Sequence, residues 1–218
     1  MLVVVIASGE TAAGDARWLD AADQVIAADG GAAFLEMLGR RPDRLIGDLD
    51  SIDVDLVARL DADGVRIERH PADKEATDTE LALRAAIDAG ASEVVILGAL
   101  GGERLDHELA NLLLLADPRM DGVDVRIVHG ATTAQVLRDG GSARLAGVPG
   151  DVGSLLPVGG DAIGVTTEGL RWPLAGASLR LGASRGISNE ITTPPASVSL
   201  ERGLLLLVET LPEGAHPS

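Results

Sequence analysis

Residues 45–53 read LIGDLDSID, an apolar run that turns within three residues into a cluster of acids. Leu45 and Ile46 ahead of a glycine read as the end of a buried strand, and aspartate is depleted in strands, so the strand stops near Asp48. Carboxylates at 48, 50 and 53 repel one another and resist burial. Folding alone gives no reason to gather them, and something positive is expected to meet them. In an extended segment, residues two apart project to the same side, so Asp48 and Asp50 can face one point. Two carboxylates with waters and phosphate oxygens suit Mg²⁺, which seldom takes an all-protein cage. An EF-hand does not fit, because Ile52 stands at the next ligand position and no glycine follows. Asp53 has a second reading, as the cap of a helix beginning near 53.

Working outward, strand patterns at 2–7, 24–29, 44–48, 65–70, 93–98 and 124–129 alternate with helix patterns near 15–22, 31–39, 53–62, 77–90 and 104–117. Strands apolar on both faces, separated by helices, predict a mainly parallel sheet covered on each side. Beyond residue 130 helical periodicity disappears. TAQVLRD, GSLLPVG, AIGVTTEG, ASLRLG, SVSLERG and LLLLVET read as short antiparallel strands, and the stretch joining the two regimes as hairpin-rich. The predicted architecture is an α/β domain over residues 1–130 followed by an all-β sandwich over 131–218. Disorder is expected only in the closing EGAHPS.

Composition narrows the function. The 218 residues are 46% hydrophobic and 24% charged, with a formal charge of −16. That charge and a total of three aromatic side chains disfavour nucleic acid as a partner. The absence of cysteine excludes disulfides, thiolate zinc sites and a cysteine nucleophile. The opening MLVVVIASGE lacks a basic leader region and reads as a first strand. The apolar runs at 112–116 and 204–208 are far shorter than the roughly 20 residues a membrane span needs, so no membrane association and a cytoplasmic location are expected. Every basic side chain except histidine is arginine save Lys74, within HPADKEATDTE. A compact ammonium on a flexible stem suits a place beside a phosphate.

Ligands of open α/β sheets collect at the carboxyl ends of the strands. Four successive predicted strand ends carry acids or glycines: Asp29-Gly30-Gly31, Gly47 to Ser51, His70 to Asp78, and Gly98 to Gly102. Thr77 with Glu80 makes a capping-box pattern, so Glu80 reads equally as a cap or as a functional acid; capping does not account for Asp73 or Glu75, which could reach the same metal. GALGGERLDH, at 98–107, reads as a loop whose backbone N–H groups close on an anion ahead of a helix. It matches neither the Walker nor the dinucleotide pattern, and no Gly-Lys pair exists. Arg104, Asp106 and His107 follow it; His107 reads equally as a structural residue. Acids for Mg²⁺, glycines and cations for phosphates, and no evident covalent nucleophile together point to phosphoryl transfer from a nucleotide.

The ordered set ADGG (28–31), GDLDS (47–51), TDTELAL (77–83), GALGG with RLDHELAN (98–111) and SNE (188–190) resembles the motif series of thiamine pyrophosphokinases over nearly the whole chain. The resemblance implies an α/β domain with a β-sandwich, a homodimer, and transfer of diphosphate from ATP to the hydroxyl of thiamine with release of AMP. It implies that Asp48 and Asp50 hold Mg²⁺ and orient the β-phosphate, either one taking the hydroxyl proton, with Glu75 as a further ligand. ATP would be surrounded by Asp29, Gly30, Gly31, Lys74, Thr77, Asp78, Gly101, Gly102, Arg104, Asp106 and His107. Ser188 and Asn189 would meet the pyrimidine. Trp172 would stack on the cationic ligand, or else serve the sandwich core. Two departures from the family pattern are Glu103, interposed between Gly102 and Arg104, and Glu75 in place of an aspartate after Lys74. Two other readings fit the nucleotide half: a diphosphokinase for another hydroxymethyl compound such as a pterin alcohol, and a non-catalytic Mg-nucleotide sensor.

Overall fold

The run LVVVI forms β1 (Leu2–Ile6), whose Val3 to Ile6 are wholly buried, because helices cover both faces of the sheet it belongs to. In the computed structural model, which describes residues 1–211, the chain divides into two units, Met1–Gly130 and Ala131–Ser218. The predicted tail EGAHPS lies outside the described residues.

In the first unit β1 is followed by α1 (Arg17–Ala21), β2 (Gln24–Ala28), α2 (Gly31–Met37), β3 (Arg44–Gly47), α3 (Val54–Ala62), β4 (Arg66–Arg69), α4 (Asp78–Asp88), β5 (Glu93–Leu97), α5 (Leu105–Leu114) and β6 (Asp124–His129). The strands lie in the order β6-β5-β1-β2-β3-β4, each neighbouring pair parallel. Alternate side chains serve opposite faces. Val4, Ile6, Ala27, Leu45, Val95 and Leu97 join Leu19 of α1, Leu35 of α2 and Leu56 and Leu60 of α3 in one apolar cluster. On the sheet's β1–β3 portion α4 also packs, burying Ala82, Leu83 and Ala86.

The sequence predicts one helix over 15–22. The chain instead makes a 3₁₀ turn over Ala13–Ala16 before the short α1. The cause is Asp15, fully buried, whose carboxylate accepts from the N–H of Ala12 at 2.8 Å and of Gly130 at 2.9 Å. α3 and α4 start at side-chain caps: Asp53 accepts from Asp55 N at 2.8 Å and Thr77 from Glu80 N at 3.2 Å. The capping box is only half formed, because the Glu80 carboxylate turns instead to Arg84 and Arg119.

The second unit contains β7 (Thr132–Leu137), β8 (Ser142–Leu145), β9 (Val152–Pro157), β10 (Ala162–Glu168), β11 (Ala177–Leu179), β12 (Asn189–Glu190), β13 (Ala196–Ser199) and β14 (Leu205–Thr210). They form two antiparallel arrays, β12-β9-β14-β7 and β11-β10-β13-β8. Leu137, Leu155, Leu205 and Leu207 of the first share an apolar core with Leu145, Val165, Leu179 and Val198 of the second. β8 and β12 are absent from the predicted strands. SARL is short and flanked by Gly-Gly, and a two-residue strand has no periodicity to read.

Candidate active site

Strand order decides where a ligand can sit. From β1 the chain winds outward through β2, β3 and β4, then returns to place β5 on the other side of β1. The connections leaving β1 and β5 therefore diverge, and a crevice opens between them at the carboxyl edge. Its walls approach closely: Gly9 N–H donates to the Gly98 carbonyl at 2.7 Å, and Glu10 N–H to that of Gly101 at 3.3 Å. A Cβ on Gly9 would stand 2.5 Å from the Gly98 oxygen and 2.7 Å from that of Gly101, so only glycine fits. Gly98, Gly101 and Gly102 all have positive φ and line the crevice wall.

A cavity of about 550 Å³ fills this edge. Among the predicted residues Asp29, Asp48, Lys74, Glu75, Thr77, Asp78, Gly101, Gly102, Arg104 and His107 line it. Gly30 and Gly31 line a neighbouring recess with Gly9, Phe34 and Met37. Asp50 and Asp106 are exposed and stand outside both linings. Ser8, Gly9, Thr79 and Asn111 also line the cavity and are not among the predicted residues. Ser8-Gly9 follows β1 as the other loops follow their strands, but by itself it reads as an ordinary turn. A larger hollow, about 610 Å³, lies at the opposite edge near Val25 and Asp63. Its rim charges are matched as Arg40–Asp20, Arg59–Glu36 and Arg41–Asp63, so it offers no comparable chemistry.

Asp29, Asp48 and Asp78 each bring a carboxylate oxygen within 4.8 Å of the others. Asp29 is held there by a left-handed backbone, φ 44°, and by the Ser51 hydroxyl, which donates to its Oδ2. Its Oδ1 is buried without a hydrogen-bond partner. An unpartnered buried carboxylate oxygen beside two further acids fits a hard divalent cation. Asp50 is not in this set. The extended D-x-D geometry expected from sequence does not form, because Leu49 has φ 63° and turns the chain, letting Asp50 N–H donate to Asp48 Oδ1 at 3.3 Å. A buried leucine in that conformation is strained, and its burial in the core holds it there.

Charge in the cavity is balanced by Lys74. Its Nζ lies 2.9 Å from Asp78 Oδ1 and 3.4 Å from Asp48 Oδ2. Burial works against its charge, yet bonds and charges from Asp78 and Asp48 outweigh that and hold the ammonium above its ordinary pKa. The Asp50 N–H, and then Lys74, lower the Asp48 carboxyl; the charge of Asp48 raises that of Asp50. At the start of α5, Arg104 grips Asp106 with two bonds of 2.9 and 2.6 Å, and Asp106 is lowered to about 2 by that pairing. Asn111, buried, donates to the Ala99 carbonyl at 2.8 Å and pins the GALGG loop to α5.

In the second unit, Trp172 and Asn189 line a recess of about 240 Å³ with Leu174, Arg185 and Ile187. Trp172 is 56% exposed, so it is no core residue, and the Arg171 guanidinium lies 5.2 Å from its ring centre. Asn189 is buried, with both amide atoms engaged by the Trp172 backbone, at 3.0 and 2.8 Å. Ser188 beside it is exposed, with φ 55°.

Comparison with known proteins places these features in company. Residues 16–127 match the family model for the catalytic domain of thiamin pyrophosphokinase, and residues 147–205 that for its vitamin B1 binding domain. Thiamine pyrophosphokinase of Bacillus subtilis is 27% identical over 85% of this chain and 86% of its own. Thiamine pyrophosphokinase 2 of Oryza sativa is 29% identical over 75% of this chain, and the match spans 64% of the rice protein's length. The crystal structure of the Bacillus subtilis protein superposes with a TM-score of 0.85 over 97% of this chain and 100% of its own, at 24% identity, a likeness of fold. That of thiamin pyrophosphokinase from Geobacillus thermodenitrificans gives 0.83 over 99% and 100%, at 27% identity.

Proposed function

Because the chain belongs to the thiamin pyrophosphokinase family, we infer that it transfers diphosphate from ATP to the hydroxyl of thiamine, giving thiamine diphosphate and AMP. The observation that carries this reading is the convergence of Asp29, Asp48 and Asp78 with the glycine loop in one cavity. The pterin-alcohol and sensor readings lose their footing, since matches on both sides of residue 130 are to the same enzyme family.

In the reaction, the thiamine oxygen forms a bond to the β-phosphorus as the bond from that phosphorus to the α-phosphate bridging oxygen breaks. Asp29, Asp48 and Asp78 would hold Mg²⁺, with Asp50 and Glu75 flanking them. When bound, the ion supplies positive charge to the phosphate oxygens. Gly101 and Gly102, which carry no side chain, would let the phosphate chain approach the backbone of the GALGG loop. Arg104 reaches the phosphates once it releases Asp106, and Thr77, His107, Gly30 and Gly31 complete the nucleotide's surroundings. The hydroxyl proton passes to an acid of the Asp48–Asp50 pair. In the second unit, Trp172 offers a π face to the thiazolium cation and Ser188 a hydroxyl to the pyrimidine. Asn189 contributes by fixing Trp172.

The same reading makes the enzyme a cytoplasmic homodimer with no nucleic-acid partner. Exposed Leu105, Leu109 and Leu113, spaced along one face of α5, support a second copy covering that stripe. No helix among the described residues is long and apolar enough to cross a membrane. The deciding experiment is incubation with ATP, Mg²⁺ and thiamine, followed by chromatographic identification of products. AMP and thiamine diphosphate in equal amounts are expected; intact ATP would refute the assignment.

A further inference from the structure

The chain has one lysine, and it sits among the acids assigned above. Asp29, Asp48 and Asp78 would place three negative charges within 4.8 Å. The Lys74 side chain is only 14% exposed, and its ammonium bridges two of them. An ammonium and a dication drawn to the same carboxylates compete directly, since each is held by the same field. Lysine is suited to give way. Its charge is a point on a four-carbon stem, so the head can move several ångströms while the backbone stays fixed, whereas arginine's planar fork would lock to a carboxylate. The cavity also supplies a destination, for Gly101 and Gly102 lie on the same wall system as Lys74.

We propose that Lys74 is the resident counter-ion of the metal-free acid cluster and moves from Asp48 and Asp78 onto the nucleotide's phosphates when the divalent cation enters. The inference rests on the metal and nucleotide roles assigned under the proposed function. It goes further in making the two ligands cooperative. Phosphates that attract Lys74 free the acids for metal, and metal that displaces Lys74 delivers it to the phosphates; by linkage the two effects are equal in size.

The test reads binding, not turnover. Mn²⁺ affinity is measured by electron paramagnetic resonance without nucleotide for the wild type, Lys74→Met and Lys74→Arg. Loss of the competing charge should tighten Mn²⁺ binding about tenfold in Lys74→Met, while Lys74→Arg, whose fork locks to a carboxylate, should bind Mn²⁺ more weakly than wild type. A single lysine permits a second measurement that needs no variant. Reductive ¹³C-methylation labels Nζ of Lys74 and the α-amino group, which donates to Ser92 Oγ at 2.7 Å and serves as an internal reference. The lysine resonance should move when Mg²⁺ and a non-hydrolysable ATP analogue are added together, with the reference unmoved. Unchanged or weaker Mn²⁺ binding in Lys74→Met, or a stationary lysine resonance, with thiamine diphosphate still produced, overturns the role of Lys74 alone. Failure of the wild type to bind Mn²⁺ even with the analogue present overturns the metal assignment together with it.

Discussion

Asn189 closes a two-bond ring on Trp172, donating its amide to the Trp172 carbonyl at 2.8 Å and accepting the Trp172 N–H at 3.0 Å. A residue expected from sequence to meet the substrate therefore has its polar atoms engaged by the Trp172 backbone, and under the proposed function it serves by supporting the exposed indole. Removing the ring leaves two peptide groups without partners, at about 1–3 kcal/mol each. Asn189→Ala is expected to raise the KM for thiamine at least about tenfold, to leave kcat within a few-fold, and to lower the melting temperature. Asn189→Asp, which keeps the acceptor, should fall between. Steady-state kinetics with thiamine varied at saturating ATP checks this, and an unchanged KM would show that Trp172 needs no such support.

The crevice between β1 and β5 depends on Gly9. Its Cβ would meet two carbonyl oxygens at 2.5 and 2.7 Å, and backbone cannot yield as a side-chain tip can. Gly9→Ala is expected to cost about 2–3 kcal/mol and to abolish nucleotide binding. Gly64→Ala, also at a turn, faces open space and bears only its positive φ of 81°. It should cost about 1 kcal/mol with ATP affinity intact. Thermal melting and a fluorescent nucleotide titration separate the two.

Asp48 stands between repulsion from neighbouring acids and attraction to Lys74. Asp48→Asn removes both, so stability should change by less than about 1 kcal/mol. Turnover should nonetheless fall by about 10²-fold or more, the scale at which loss of an electrostatic group acts on charge developed in a transition state. A large drop in melting temperature with activity retained would instead make the carboxylate structural.

Asp117 gives the fold a measurable acid limb. Arg119 grips its carboxylate through the side chain and the backbone N–H, and holds its pKa below the ordinary value against burial. Arg119 also reaches Glu80 of α4 at 3.0 Å, tying that helix to the segment after α5. A lowered carboxyl contributes stability above its unfolded pKa, near 4, and loses it as pH falls through the lower folded value. With Arg119 nearly half exposed, the contribution is about 1 kcal/mol at neutral pH. Asp117→Asn should be less stable than wild type by that amount at pH 7, and the gap should shrink steadily below pH about 4. Urea denaturation at several pH values tests it.

The alternation of β-branched runs with helical patterns over residues 1–130 was legible because strands buried on both faces leave no polar interruption, as in Leu2–Ile6 and Glu93–Leu97. The acids and glycines at strand ends were legible because nothing local explains them. Three features were not. Ser8 and Gly9 read as an ordinary turn, since their importance comes from β5 returning beside β1, a pairing across some 90 residues that no local pattern encodes. The backbone between Asp48 and Asp50 reads as extended from sequence, whereas buried Leu49 takes a left-handed turn. Asp15 read as one more helical residue because a hydrogen bond to Gly130 cannot be seen from the dozen residues around it.

That last bond has a consequence for synthesis. Asp15 lies near the start of the first unit, and one of the two N–H groups satisfying its buried carboxylate belongs to that unit's final residue, Gly130. Until residue 130 has cleared the ribosomal tunnel, burying Asp15 would leave an oxygen unpaired. The nascent chain therefore has a reason to postpone closure of its N-terminal segment until translation is well into the second unit, and a released fragment ending short of Gly130 would keep that segment open to proteases.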